Sequence, residues 1–343
     1  MGILSVIVWC LVSGFILYIL KKYFNGPKTP FSKSMEGKTV IVTGSNTGIG
    51  RETALDLLEK GARVVFACRD EAKTSQVIQS IKDPKKSQNA FFIKVDLGNF
   101  DSINKFVNEY KKSFGTVDVI INNAGGLFDS FSRQEGIETT IKVNHIGPVY
   151  LTSLLIPLLN RDGLVINVSS LMHSFINQEK FNTYIKELDF SESEIKYSPI
   201  YAYAFSKLAN VLHATSLDNY ARRGNLNFKT ASLHPGTVAT EFQNRATTLP
   251  FKIVNYLSYP FKYILMKDCK MGAQTTLHIV YSDYRTLNSG AYFSNCCEAA
   301  KDQVATDPQN VKKLMEYTMR LIYNNMPQVP KEVESFFTFI NSA

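Results

Sequence analysis

Apolar residues follow two successive regimes along this chain. The first is an uncharged run from Ile3 to Leu20. At ~1.5 Å of rise per residue a helix there reaches ~27 Å, close to the hydrocarbon thickness of a bilayer, so residues 1–22 predict a single N-terminal transmembrane helix. Lys21 and Lys22 follow directly, with Lys28 and Lys33 close behind. Cationic flanks stay on the cytoplasmic side, which places the body in the cytosol. A cleaved leader is the rival reading, but no Lys or Arg precedes the run and no small-x-small cleavage pattern follows it. Myristoylation at Gly2 is disfavoured because Val6 occupies the position where Ser or Thr is expected. The lone Asn-x-Ser/Thr triplet, Asn167 to Ser169, falls in a predicted core strand and gives no support to a lumenal body. Gly26, Pro27 and Pro30 break regularity, so residues 23–36 read as a linker.

The second regime begins near residue 37. Lys38 to Thr43 is a short β-branched run, and Gly50 to Lys60 sets Ala54, Leu57 and Leu58 on one helical face. Further strands are predicted at Arg63 to Ala67, Ala90 to Val95, Val117 to Ile121, Gly163 to Val168 and Phe228 to Leu233, with helical spacing between them. This alternation predicts an α/β fold: a three-layer, doubly wound Rossmann arrangement with a mostly parallel sheet over residues 37–300, and a C-terminal helical extension over 301–343. Ligands of such sheets bind at the carboxyl ends of the strands.

Composition narrows the functional classes. Of 343 residues, 45% are hydrophobic and 20% charged, which fits neither wholesale disorder nor a multispanning membrane protein. The net charge of +8 is scattered, without a dense basic run, so nucleic acid is not an expected partner. Positive charge equally suits a pyrophosphate or an anionic lipid surface. The five cysteines lack Cys-x-x-Cys spacing, and the five histidines lack a metal-binding arrangement, so neither a disulfide framework nor a metal site is predicted.

Between the first strand and first helix lie Gly44, Ser45, Asn46, Thr47, Gly48, Ile49 and Gly50. Glycines there allow a tight turn and close backbone approach, so that helix amides meet a pyrophosphate. A plain structural turn is the alternative, but the position between strand and helix favours a dinucleotide. At the end of the second strand, Cys68 stands where NAD enzymes usually place a carboxylate, and Arg69 is next to it. A guanidinium suits a 2′-phosphate, so NADP is the expected cofactor, with Arg51 as an assistant; simple capping of the strand is the rival role for Arg69.

With these elements the chain resembles the short-chain dehydrogenase/reductase family. The matching residues are Thr43-Gly-x-x-x-Gly48-x-Gly50, Asp96, Asn122-Asn123-Ala124-Gly125, Asn144, Ser170, Tyr203-x-x-x-Lys207 and Pro235-Gly236, in the family's order over residues 37 to 300. Tyr203 and Lys207 are four apart, so on a helix they share a face, and an ammonium there favours the phenolate of a Tyr that otherwise titrates near ~10. Ser170 can donate to the substrate oxygen where charge develops; the resemblance alone selects it over Ser169. It also implies that Lys207 holds the nicotinamide ribose, that Asn144 keeps a water route to that Lys, that Asp96 meets adenine, and that Asn123 supports the cofactor. Thr237 and Thr240 resemble carboxamide contacts, with loop capping as the rival. Helix-end capping is likewise the rival for Asn144. Tyr201 has no Lys four residues beyond it.

Within the family, Ala67 to Asp70, Val143 to His145, Asn167 to Ser170, Ser206 to Asn210, His234 to Val238 and Gly272 to Thr275 look like the microsomal retinol dehydrogenases and retinal reductases. That resemblance implies endoplasmic-reticulum anchoring, NADP, and a lipophilic substrate such as retinal or retinol. It departs at Gly125-Gly126-Leu127 and Gly147-Pro148. The segment 250–266 crowds Phe251, Ile253, Tyr256, Phe261 and Tyr263 beside Lys252 and Lys262, as a membrane-facing lid or a buried helix would. A steroid or other lipid-carbonyl reductase, and a silent NADP-binding scaffold, are the alternatives. Oligomeric state stays open, a homo-oligomer included.

Overall fold

The computed structural model describes residues 3–187, 197–238 and 266–341. Helix α1 (Ile3–Asn25) is followed by β1 (Thr39–Thr43), α2 (Gly48–Glu59), β2 (Arg63–Cys68), α3 (Glu71–Gln79), α4 (Pro84–Gln88), β3 (Ala90–Lys94), α5 (Phe100–Ser113) and β4 (Val117–Asn122). Then come a hairpin of β5 (Arg133–Gln134) and β6 (Ile137–Glu138), α6 (Thr139–Ile141), a π-helical turn (Lys142–Ile146), α7 (Gly147–Leu155), β7 (Leu159–Val168), α8 (Gln178–Glu187), α9 (Pro199–Arg223) and β8 (Phe228–His234). The last described part holds α10 (Cys269–Gly272), α11 (Gln274–Tyr281), β9 (Ala291–Ser294), β10 (Cys297–Ala299), α12 (Gln303–Thr306), α13 (Pro308–Asn324) and α14 (Lys331–Asn341).

The main sheet has eight strands in the order β10-β9-β8-β7-β4-β1-β2-β3. All neighbours run parallel except the edge pair of β9 and β10. Successive residues of a strand face opposite sides, so β1 divides its side chains between two cores. Ile41 joins Phe106, Leu151 and Leu208 beneath α5, α7 and α9. Val40 and Val42 join Leu57 and Leu277 beneath α2 and α11. The strand order turns back between β1 and β4, which opens a crevice at their carboxyl ends.

The N-terminal expectation is met only in part. Ile3–Asn25 is one helix of 23 residues, but among the described residues no helix is long and apolar enough to cross a membrane. The residues that follow the apolar run are tied to the body by hydrogen bonds. Lys21 Nζ donates to the carbonyl of Met266 at 2.6 Å, the Thr29 amide donates to Gln274 Oε1 at 3.1 Å, and the buried Met35 donates its amide to Lys60 at 2.8 Å.

The C-terminal extension is built into one helical layer. Leu314, Met315, Phe336 and Phe337 are buried in the same core as α5, α7 and α9. His145 Nε2 meets Thr318 Oγ1 at 2.8 Å, which fastens α13 to the π turn. Residues 251–265, the main part of the apolar segment singled out in the sequence, lie outside the described residues, as does Thr240.

Candidate active site

The glycine loop after β1 is built for close approach. Gly44 and Gly48 have φ of +66° and +58°, a region that side chains disfavour. A Cβ on Gly50 would strike Asn123 Nδ2 and the carbonyl of Gly44, so α2 starts tight against the loop. Thr47 occupies the N-cap of α2 in extended conformation and makes no side-chain cap bond, leaving the first amides to an anion. Ser45 donates its hydroxyl to Val42 at 2.9 Å, and Asn46 Nδ2 donates to Thr74 Oγ1 at 3.3 Å, so both tie the loop down.

Asn123 does similar work. Its Nδ2 donates to the carbonyl of Thr43 at 2.9 Å, while its amide and that of Ala124 donate to Thr43 Oγ1, each at 3.0 Å. Thr43, which the sequence marked only as the start of the glycine motif, is therefore a clamp. Asp96 follows β3, and its Oδ1 accepts from the Gly98 amide at 2.9 Å.

These residues line one groove of about 580 Å³, which runs from Arg69 and Lys73, past Gly44, Thr47, Gly48, Ile49, Gly50 and Asp96, to Ser170, Tyr203, Lys207, Pro235, Gly236 and Thr237. Lys73 escaped sequence reading because only the helical start of α3 brings it beside Arg69. Asp70 caps that helix by accepting from the Lys73 amide at 3.0 Å.

At the other end, Lys207 is buried and donates to the carbonyl of Val168, the last residue of β7, at 3.0 Å. Its ammonium lies 5.6 Å from the centroid of the Tyr203 ring. Burial lowers its pKa to about 8. Ser170 hydrogen-bonds the Tyr203 hydroxyl. Burial pushes the Tyr203 phenol up, and the Ser170 hydrogen bond opposes that rise.

The structure also separates the two serines. Ser169 spends its hydroxyl on the carbonyl of Lys207 at 2.6 Å, whereas Ser170 begins the turn Leu171–Phe175. Two histidines to which the sequence reading gave no individual role hold that turn. His234 Nδ1 accepts from the Leu171 amide at 3.0 Å, and His173 Nδ1 lies 2.7 Å from the Ser170 carbonyl. Burial lowers the His234 pKa to about 4, so at neutral pH it is an uncharged acceptor. Tyr201 stands apart beneath Lys180, whose ammonium is 3.8 Å from its ring.

Asn144 sits fully buried on the π turn. Its Oδ1 accepts from the Gly126 amide at 2.8 Å, and its Nδ2 donates to the Gly126 carbonyl at 2.8 Å and to Ser206 Oγ at 3.0 Å. A Cβ on Gly125 would lie 3.1 Å from Lys207 Nζ and 3.2 Å from Asn144 Oδ1, so the two polar heads flank that glycine. Gly236, with φ of +93°, packs against Lys267, whose amide donates to the Thr237 carbonyl at 2.8 Å.

The Lys207 shift has a thermodynamic consequence. Its folded pKa of about 8 lies below the ordinary 10.5, so the native state binds fewer protons between these values and stability rises with pH across that window. Lys207→Met removes the buried ammonium, so its melting temperature should equal or exceed that of the parent protein at pH 7. The gap should close toward pH 10. Thermal melts that found the variant several degrees less stable at pH 7, with a pH-independent gap, would contradict this.

A profile described as short chain dehydrogenase matches residues 38–185. Retinol dehydrogenase 12 of Homo sapiens is 33% identical over 308 residues, covering 88% of this chain and 92% of that protein. Retinol dehydrogenase 13 of Mus musculus is 30% identical over 321 residues, covering 92% of each. Among solved structures, a putative uncharacterized protein from Mycobacterium Paratuberculosis superposes with a TM-score of 0.67 at 25% identity, covering 87% of this chain and 98% of the other. With a parallel sheet, a glycine turn at its switch point and these relatives along nearly its whole length, the chain belongs to the short-chain dehydrogenase/reductase family.

Proposed function

We propose that the protein is an NADP(H)-dependent oxidoreductase that interconverts a lipophilic carbonyl compound and its alcohol, with retinal and retinol as the leading pair. The observation that carries this reading is the Tyr203 hydroxyl, hydrogen-bonded to Ser170 and one helical turn from the buried Lys207, in the groove that begins at the glycine loop.

The groove fits a phosphorylated dinucleotide. The uncapped start of α2 suits a pyrophosphate, and the Arg69 and Lys73 side of the groove suits a 2′-phosphate. A bound nicotinamide supplies the hydride. In reduction, Ser170 Oγ donates a hydrogen bond to the carbonyl oxygen, and Tyr203 gives its hydroxyl proton to that oxygen as negative charge builds. Lys207 stabilises the resulting phenolate and Asn144 holds the Gly125-Gly126 wall, with Thr237 and Pro235-Gly236 bounding the nicotinamide end. Oxidation of the alcohol runs these proton steps in reverse.

Apolar side chains support a lipophilic substrate. Leu171 and Phe175, 56% and 55% exposed, line the groove next to Ser170 together with Met172 and Phe128. The relatives' names point the same way. A membrane location, with the endoplasmic reticulum as the leading site and the catalytic body in the cytosol, rests on the uncharged Ile3 to Leu20 run and on Trp9, Leu11 and Phe15, which are 64%, 68% and 65% exposed on α1. Alkaline carbonate should leave the full chain in the membrane pellet, and release into the supernatant would remove the anchor from the account.

Membranes containing the protein should convert all-trans-retinal to retinol with NADPH, and Tyr203→Phe should lower kcat/KM by at least about 100-fold, the scale of a lost general acid. Wild-type turnover of steroid ketones but not of retinal would move the assignment to a steroid reductase. For the cofactor, Arg69→Asp should raise the KM for NADPH about 10-fold or more while leaving NADH nearly unchanged. Equal effects on both would take Arg69 out of the phosphate site.

A further inference from the structure

Two residues before Asn144, the π turn carries Lys142, a lysine with no exposed surface at all. Its ammonium lies 2.8 Å from Glu135 Oε2 and 2.7 Å from the centroid of the Phe100 ring. The Glu135 contact is a close ion pair without hydrogen-bond direction, for among the described residues Lys142 Nζ has no partner that meets hydrogen-bond geometry. Glu135 sits at the tip of the β5–β6 hairpin with φ of +47°, a left-handed conformation that a glutamate rarely adopts. Both of its carboxylate oxygens also accept from the Phe100 amide, at 3.2 and 3.1 Å. Phe100 is the first residue of α5, directly after the loop that carries Asp96.

Burying a lysine this completely is costly unless the charge is compensated, and an apolar residue of similar volume would serve packing as well or better. The charge therefore calls for a reason beyond packing, and its neighbours supply one. Through Glu135 it grips the start of α5, behind the Asp96 to Asn99 loop at one end of the dinucleotide groove. Through its own backbone it sits on the turn that presents Asn144 to Gly126 and Ser206. The same two segments touch again farther on, where a Cβ on Gly147 would strike the Leu97 carbonyl.

We propose that the Lys142 and Glu135 ion pair is a brace that keeps the Asn144 turn in register with the Asp96 to Asn99 loop, making Lys142 and Glu135 positioning residues for cofactor engagement and turnover. The proposal deepens the oxidoreductase reading and rests on it for its turnover arm. Neither residue is expected to touch cofactor or substrate. Their effect runs through the placement of Asn144 and of the loop.

The test uses the full chain in detergent, with Lys142→Met and Glu135→Gln, alone and combined, each also on an Asn144→Ala background. A brace predicts that kcat falls about 10-fold in Lys142→Met, with KM for the carbonyl substrate within about 2-fold and the melting temperature at or near that of the parent. It further predicts that Lys142→Met adds little to the loss already caused by Asn144→Ala. Unchanged kcat, a loss that follows the fall in melting temperature, or full additivity with Asn144→Ala would overturn it. NADPH affinity, read from nicotinamide fluorescence, separates this claim from the assignment of the reaction. If wild type turned over no carbonyl, a several-fold weaker affinity in both single variants would still support the brace, and unchanged affinity would overturn it.

Discussion

A lysine ammonium held away from water has to be placed by fixed partners, and the carboxyl edge of this sheet is organised around placing one. The carbonyl of Val168 receives Lys207 Nζ at 3.0 Å and Asn210 Nδ2 at 3.3 Å, while Ser169 returns a hydrogen bond to the Lys207 carbonyl at 2.6 Å. Three side-chain bonds thus stitch the end of β7 to one turn of α9. Because β7 lies between β4 and β8 in the middle of the sheet, that turn cannot drift without disturbing the core on both sides. Tyr203, one helical turn earlier, inherits its position from this stitching, and Ser170 inherits its own from the strand end and from His234 and His173.

The site carries two polar layers with different duties. Tyr203, Ser170 and Lys207 present their polar heads at the groove, whereas Thr43, Asn123, Ser169, Ser206, His173 and His234 engage the backbone that positions them, although Asn123, Ser169 and His234 also reach the groove wall. Burial lowers the Lys207 pKa to about 8 and raises that of Tyr203 above the ordinary phenol value, so the phenol holds its proton more tightly than the ammonium beside it. The hydrogen bond from Ser170 opposes the rise of the Tyr203 pKa.

Much of this was legible in the sequence, and for identifiable reasons. Buried parallel strands read as short β-branched runs, so all six strands expected up to residue 234 are present, with β2 extended to Cys68 and β7 beginning earlier, at Leu159. The Tyr203 and Lys207 pair was visible because helical periodicity puts residues four apart on one face. What the sequence hid depends on contacts between distant segments. Nothing local marks Lys142 as a buried ion-pair partner of Glu135, because that role exists only when the hairpin folds back on α5. The two-residue strands β5 and β6 are too short to carry a period, and β9 and β10, of four and three residues, drew no strand expectation for the same reason. Lys73 looked like an ordinary helical lysine until α3 brought it to the groove. Residues 301–343 read as an appendage, although Phe336 and Phe337 complete the layer over α7 and α9.

The central claim is that the groove delivers hydride to one face of a carbonyl while Tyr203 protonates its oxygen. Incubation of the full-length protein with all-trans-retinal and NADPH deuterated on the transferred position of C4, followed by mass spectrometry of the retinol, tests it most directly. The account predicts a single deuterium on the carbinol carbon; retinol formed without deuterium at that carbon, or no product from any carbonyl compound in the presence of bound NADPH, would contradict it.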